Sequence, residues 1–138
     1  MGASKYALFI GRWQPFHKGH HALMSTMLQQ GKKLCIAIRD TEVSAFDPLT
    51  ADERLEMLRK VFPDTDAVKI VVIPDIESVN YGRGVGYAIN EIQMPANIEG
   101  ISATLIRQYI AEGNPAWQAR VPEEVAAYII EKGLLKDE

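Results

Sequence analysis

Cysteine is nearly absent: Cys35 is the only one in 138 residues, so no intramolecular disulfide can form, and a reducing compartment is the expected setting. It sits inside an apolar run and reads as a small core residue. No apolar stretch approaches the ~20 residues that a membrane span requires. The apolar stretch within MGASKYALFIG is too short for a signal peptide. The myristoylation pattern that MGAS begins fails at its sixth residue, Tyr6. Excess charge of one sign is also lacking: 15 Lys and Arg stand against 18 Asp and Glu, for a net charge of −3. That balance provides no general attraction to nucleic acid or an anionic membrane, and neither is expected as a partner; any anion site must come from a local cluster. Repeats, low-complexity stretches and linkers are missing too. The expectation is a cytoplasmic protein with a single domain over residues 1–138, long enough to bury a core.

Within that frame three apolar runs read as strands: YALFI (6–10), LCIAI (34–38) and VKIVVI (68–73). Nearly continuous apolar runs fit strands of a parallel sheet buried on both faces. Residues 20–30 place Leu23/Met27 and Met24/Leu28 four apart, and 51–62 place Leu55, Leu58, Val61 and Phe62 on one helical face. Thr50 and Glu53 form a T-x-x-E capping box ahead of the second helix. Strand–helix–strand–helix–strand implies right-handed crossovers and an α/β fold: a single Rossmann-like domain with a parallel sheet and helices on both faces. Beyond Pro74, residues 75–90 read as a loop leading into a short helix, and 97–102 as a short strand or turn. Ser102 reads as the N-cap of a helix ended by Gly113 and Pro115. A last helix runs from Pro122 to Lys132 and Gly133, with Trp117 packing as its staple.

Histidine is scarce as well, yet all three (His17, His20, His21) fall in one stretch, GRWQPFHKGHHAL, where the first strand hands over to a helix. Ligands of open α/β sheets bind outside the carboxyl ends of the strands. A helix start there offers unpaired N–H groups and a positive dipole end to phosphate. His17 and His20 lie on one side of the first turn, Gly19 leaves room for close approach, and Gly11 and Arg12 add a tight turn and a fixed charge. A zinc site on the three histidines is the competing reading. It is weakened by the adjacency of His20 and His21, about 100° apart on a helix, and by the lack of cysteine or carboxylate in the stretch. No protein-held metal site is therefore expected. A plain solvated loop is the third reading.

The second constellation is ISATLIR (101–107). Alone it reads as a capped helix start with an arginine on the wet side. Beside the first, it reads as a second phosphate cradle made by Ser102, Thr104 and Arg107. GRGVG (82–86) fails as a dinucleotide fingerprint, because the third glycine would fall at Tyr87.

GRWQPFHKGH together with ISATLIR resembles the paired H-x-G-H and I-S-x-T-x-x-R signatures of the nucleotidylyltransferase superfamily. The first motif is most similar to archaeal-type nicotinamide-mononucleotide adenylyltransferases, as are DPLTADER (47–54) and IPDIESVN (73–80). The resemblance covers roughly residues 5–113. It implies an acceptor phosphate attacking the α-phosphate of a nucleoside triphosphate, ATP or CTP, with pyrophosphate leaving. It further implies His17, His20 and Arg107 as catalytic residues, with Gly11, Arg12, Gly19, Ser102 and Thr104 on the triphosphate. Mg²⁺ would come with the triphosphate, Arg12 could serve either substrate, and Arg39, Tyr81 and Arg83 are candidates for the acceptor.

Two departures bear on the acceptor. The segment before Ile101 is short, and the tryptophan expected there to stack on nicotinamide is replaced by NYGRGVGY. In length and in the EGIS-T run (Glu99–Ser102, Thr104) the chain is closer to glycerol-3-phosphate cytidylyltransferases. The reading that results is transfer of a nucleoside monophosphate to a small phosphate-bearing acceptor, with homo-oligomerisation left open. The alternatives are a nicotinamide-mononucleotide adenylyltransferase specifically, a non-catalytic nucleotide-binding regulator, and a metal-dependent hydrolase.

Overall fold

The computed structural model describes residues 5–45, 47–82, 86–89 and 102–135. Strands β1 (Tyr6–Gly11), β2 (Lys33–Asp40) and β3 (Val68–Pro74) form a parallel sheet in the order β1-β2-β3. Helix α1 (Lys18–Gln29) connects the first pair and α2 (Ala51–Val61) the second. Leu34, Ile36 and Ile38 on β2 align with Ala7, Phe9 and Gly11 on one side and with Val68, Ile70 and Val72 on the other. This register brings the C-terminal ends of all three strands to one edge of the domain, the edge where the polar stretches begin.

The α/β Rossmann-like fold agrees with the sequence reading. Ala7, Phe9, Leu34, Ile36, Ile38, Val68 and Ile70 share one apolar cluster with Met24 of α1 and with Met57 and Leu58 of α2. On the opposite face Leu8 and Val71 are 57% and 42% exposed. Of the two helical layers expected, the described residues show one. Helix α3 (Ala103–Ala111) and helix α4 (Glu123–Lys132) join the same cluster through Ile106, Ile110, Val125, Tyr128 and Ile129. Trp117, buried in that cluster, sits on a short 3₁₀ helix (Pro115–Arg120) between them rather than on α4 itself.

The caps show which local signals were strong enough to fix boundaries. Thr50 and Glu53 form the capping box as read, with Glu53 N–H donating to Thr50 Oγ1 at 3.1 Å and Thr50 N–H to Glu53 Oε1 at 2.8 Å. Ser102 caps α3 by accepting from Leu105 N–H, and α4 ends on Gly133 in the left-handed conformation. Helix α1 starts at Lys18, with His17 and His20 forming its capping box where a Ser/Thr–Glu pair is the usual signal. Residues 75–82 and 86–89 carry neither helix nor strand. The short helix expected towards residue 90 and, apart from Ser102, the short strand or turn expected at 97–102 lie outside the described residues.

Candidate active site

The site is built where β1 passes into α1. Trp13 takes a left-handed backbone conformation, φ 54°, which costs a non-glycine residue about 1–3 kcal/mol. Its indole is held by donating from Nε1 to the Ala37 carbonyl at 3.1 Å. The ring lies directly over Gly11, where a Cβ would come within 2.8 Å of two indole carbons. Gly11 is therefore required to seat Trp13, a role distinct from the phosphate-side turn expected of it.

His17 is the N-cap of α1. Its Nδ1 accepts from Gly19 N–H at 3.1 Å, and the Nδ1 of His20 accepts from His17 N–H at 3.2 Å. The imidazoles stack with centroids 3.6 Å apart. A ring nitrogen that accepts cannot carry the proton, so both neutral rings are the Nε2–H tautomer, each with one N–H left to donate. Burial pushes His17 down to about 4. Burial, with His17 beside it, pushes His20 down to about 3. Both are therefore neutral donors near pH 7 in the free protein. Gly19, buried in the first turn, contributes through its N–H to His17. His21 faces elsewhere: its ring packs near Phe16 and Phe62, and burial lowers its pKa while Glu124 raises it.

The second motif reaches the first through Arg107, whose Nη1 donates to the Gln14 carbonyl at 2.6 Å across 93 residues of sequence. Arg107 Nη2 lies 3.5 Å from Thr104 Oγ1. Burial and Arg12 lower the Arg107 pKa and Asp47 raises it, which places all three charges in one field. Ser102, Thr104 and Arg107 thus stand on the first turns of α3 with Arg107 tied to the H-x-G-H loop.

Two residues that sequence reasoning passed over hold this arrangement together. Gln14, buried, donates to the Leu49 carbonyl at 3.0 Å and accepts from Leu49 N–H at 2.9 Å, pinning the loop before α2 to the loop before α1. Arg54 is wholly buried, and its Nη1 donates to the carbonyls of Arg12 (2.8 Å) and Arg39 (2.7 Å), joining the chain just after β1 to the end of β2. The signal for Arg54 was present in DPLTADER, but only as part of a resemblance.

Around those strand ends lies an open cleft of ≈ 490 Å³ lined by Arg12, Arg39, Asp40, Thr41, Asp47 and Asp75, among others. Arg39 pairs with Asp75 at 2.7 Å, and Arg12 lies 3.4 Å from Asp47. The structure thus groups Arg12 with Arg39. Tyr81 is 61% exposed and is not among the lining residues, and Arg83 lies outside the described residues.

A helix N-terminus with two neutral imidazole donors, an arginine-bearing second helix start and an adjoining cleft thus lie at the C-terminal end of the sheet, and donors of these kinds are chemically suited to phosphate oxygens. Residues 8–82 match the family model described as cytidylyltransferase-like. A nicotinamide-nucleotide adenylyltransferase of Ignicoccus hospitalis is 32% identical over 161 aligned positions, covering 94% of each chain. One from Pyrobaculum aerophilum is 30% identical, covering 91% of this chain and 87% of its own. A bifunctional NMN adenylyltransferase/ADP ribose pyrophosphatase from Francisella tularensis, solved with AMP and a Mn ion, aligns at 32% identity with a TM-score of 0.47, over 53% of this chain and 23% of its own. The chain belongs to the cytidylyltransferase-like family and is a nucleotidylyltransferase.

Proposed function

We propose that the protein transfers AMP from ATP to the phosphate of a small acceptor, releasing pyrophosphate. The observation that supports this is the Arg107–Gln14 tie, which joins α3 to the loop that leads into the stacked His17–His20 pair. In this reading an acceptor phosphate oxygen attacks the α-phosphorus. The bond from the α-phosphorus to the bridging oxygen breaks, and the electron pair leaves with pyrophosphate. The Nε2–H groups of His17 and His20 donate to oxygens on the α-phosphate, where charge develops, and being neutral they need no proton transfer to do so. Arg107, Ser102 and Thr104 hold the β- and γ-phosphates. ATP is favoured over CTP by the names of the full-length relatives.

Among the described residues no group of three His, Cys, Asp or Glu side chains comes together to hold a metal ion. Mg²⁺ therefore fits this site as part of the metal–triphosphate substrate, where it neutralises charge on the phosphate oxygens. No described helix is long and apolar enough to cross a membrane. With the free thiol of Cys35, that fits work in a reducing cytoplasm.

A second, narrower reading makes the acceptor nicotinamide mononucleotide, favoured by the similarity to nicotinamide-nucleotide adenylyltransferases along 94% of the chain. Against it stands the shorter chain: 94% of 138 residues is about 130, so the 161 aligned positions leave about 31 without a residue here. A pyrophosphate-release assay with ATP and CTP against nicotinamide mononucleotide, ribose 5-phosphate and glycerol 3-phosphate decides between the two. Pyrophosphate release that requires an acceptor other than nicotinamide mononucleotide supports the broader reading. Turnover with that mononucleotide at least tenfold above the rest establishes the narrower one.

A further inference from the structure

Among the described residues, Trp13 and Leu135 are the only ones other than glycine at positive φ, and Leu135 is the last of them. A bulky side chain in that region is a genuine outlier, and a glycine at position 13 would relieve it. Such a conformation persists only where the surrounding structure over-determines it, and it is concentrated at functional sites. Trp13 is buried, seated on Gly11, and held through Nε1 by the Ala37 carbonyl at 3.1 Å. Its side chain therefore has a use that outweighs the backbone cost.

That use is legible in the rings around His20. The imidazole stacks on His17 at 3.6 Å and on Phe16 at 5.5 Å between centroids, and meets Trp13 edge to face at 4.7 Å. The hydrogen bond to His20 Nδ1 comes from His17 N–H, so it fixes the ring to the helix end and not to the sheet. Phe16 leans on Phe62 by ring packing alone. Of the three neighbours only the indole is hydrogen-bonded to the sheet, at Ala37 in the middle of β2. A donor that acts on a reacting phosphate must be held to within about 0.5 Å. A misplacement of about 1 Å can cost on the order of 10²-fold in rate.

We infer that Trp13 is a positioning residue for nucleotidyl transfer, its indole N–H on the Ala37 carbonyl tying the His20 imidazole to β2. The inference rests on the transfer reading above and adds to it a residue that acts through His20. The role belongs to the indole: a phenylalanine at position 13 carries the same backbone conformation and a ring, but no N–H. A Trp13 that served only the fold would do so whether or not His20 were present.

The test compares Trp13→Phe with the parent in two measurements. The first needs no substrate: long-range ¹H–¹⁵N spectra of ¹⁵N-histidine-labelled protein at pH 7.5. His20 should appear as the single Nε2–H tautomer in the parent and move towards mixed tautomers in Trp13→Phe, with His21 unchanged. The second is steady-state pyrophosphate release with Mg-ATP and the best acceptor among nicotinamide mononucleotide, ribose 5-phosphate and glycerol 3-phosphate. Trp13→Phe should lower kcat at least fivefold, with a smaller change in KM for ATP and unchanged far-ultraviolet circular dichroism. In a His20→Ala background the same substitution should lower kcat less than twofold, because the ring it positions is gone. A smaller loss in the parent background overturns the inference, as does a loss of twofold or more beside His20→Ala, or an unaltered His20 tautomer. Should Trp13→Phe fail to fold, benzothienylalanine at position 13, which keeps the ring outline and lacks the N–H, carries the same comparisons. If the parent releases no pyrophosphate with any acceptor while the His20 signals still shift in the variant, the transfer reading falls and the tie to His20 stands.

Discussion

Arg107 donates to the main-chain carbonyl of Gln14 at 2.6 Å, joining α3 to the loop that caps α1. One guanidinium nitrogen is spent on positioning, and the fork that remains faces the side of Thr104. A lysine cannot reproduce both functions, because its ammonium is a point charge on a flexible stem. Arg107→Lys should lower kcat/KM for the triphosphate at least tenfold, about 1.4 kcal/mol of transition-state stabilisation. Arg107→Ala should be worse, with its far-ultraviolet circular dichroism unchanged. Steady-state kinetics over a triphosphate titration checks both.

His20→Ala should reduce kcat by roughly 10²–10³ with triphosphate binding nearly intact, because it removes a donor used as charge develops. His21→Ala should cost far less, since that ring packs near Phe16 and Phe62 and takes no part in the stacked His17–His20 pair. Single-turnover rates beside calorimetric affinities separate the two effects.

The two capping histidines also make stability depend on pH. Their folded values, about 4 for His17 and about 3 for His20, lie below the ordinary 6.5. Between those limits the unfolded chain binds more protons than the folded one, so stability rises with pH. The contribution is complete above about pH 6.5 and is lost as pH falls towards 4, at about 1.4 kcal/mol per unit for each histidine that stays neutral when folded. Protonating either Nδ1 would also break a cap. Urea midpoints measured from pH 7.5 to 4.5 should fall steadily below pH 6.5, and His20→Gln should shrink that slope by about one proton's worth.

How much of this was legible beforehand follows the reach of each interaction. The Thr50–Glu53 box, the Ser102 cap and the Gly133 stop were readable because each is decided within four residues. The first turn of α1 was read at His17–His20 from the motif, but not the histidine capping box that starts it. His17, His20 and Arg107 could be picked out as a pattern, but the contact that ties Arg107 to the loop before α1, at the Gln14 carbonyl, spans 93 residues and belongs to the tertiary fold. Gln14 and Arg54 were passed over for the same reason, as were the Trp13 conformation and the need for Gly11 beneath it. Nothing local in the chain marks a glutamine that clamps Leu49, or an arginine that ties the chain just after β1 to the end of β2.

Arg54 supplies the test of that hidden framework. Its Nη1 serves two carbonyls, one just beyond β1 and one on β2, from a fully buried position. Arg54→Met removes the charge together with the donors and leaves those carbonyls without this partner. A loss of about 2–4 kcal/mol in urea unfolding is expected.

Gly11→Ala probes the other support. The new methyl would meet the indole of Trp13 at 2.8 Å, so the ring must move off the Ala37 carbonyl and away from His20, its edge-to-face neighbour at 4.7 Å. A loss of about 1–3 kcal/mol is expected from the overpacking. It should come with a red-shifted tryptophan emission and a fall in kcat larger than any rise in KM.

The central claim is nucleotidyl transfer at the α-phosphate, and the fate of two labels tests it most directly. Reactions run with ATP labelled at the α- or the γ-phosphorus, together with the acceptor set, are resolved by chromatography. The α label should appear in a new product that also contains the acceptor, and the γ label should leave entirely as pyrophosphate. Transfer of the γ label to the acceptor, or release of AMP and pyrophosphate at a rate indifferent to every acceptor, would contradict the account.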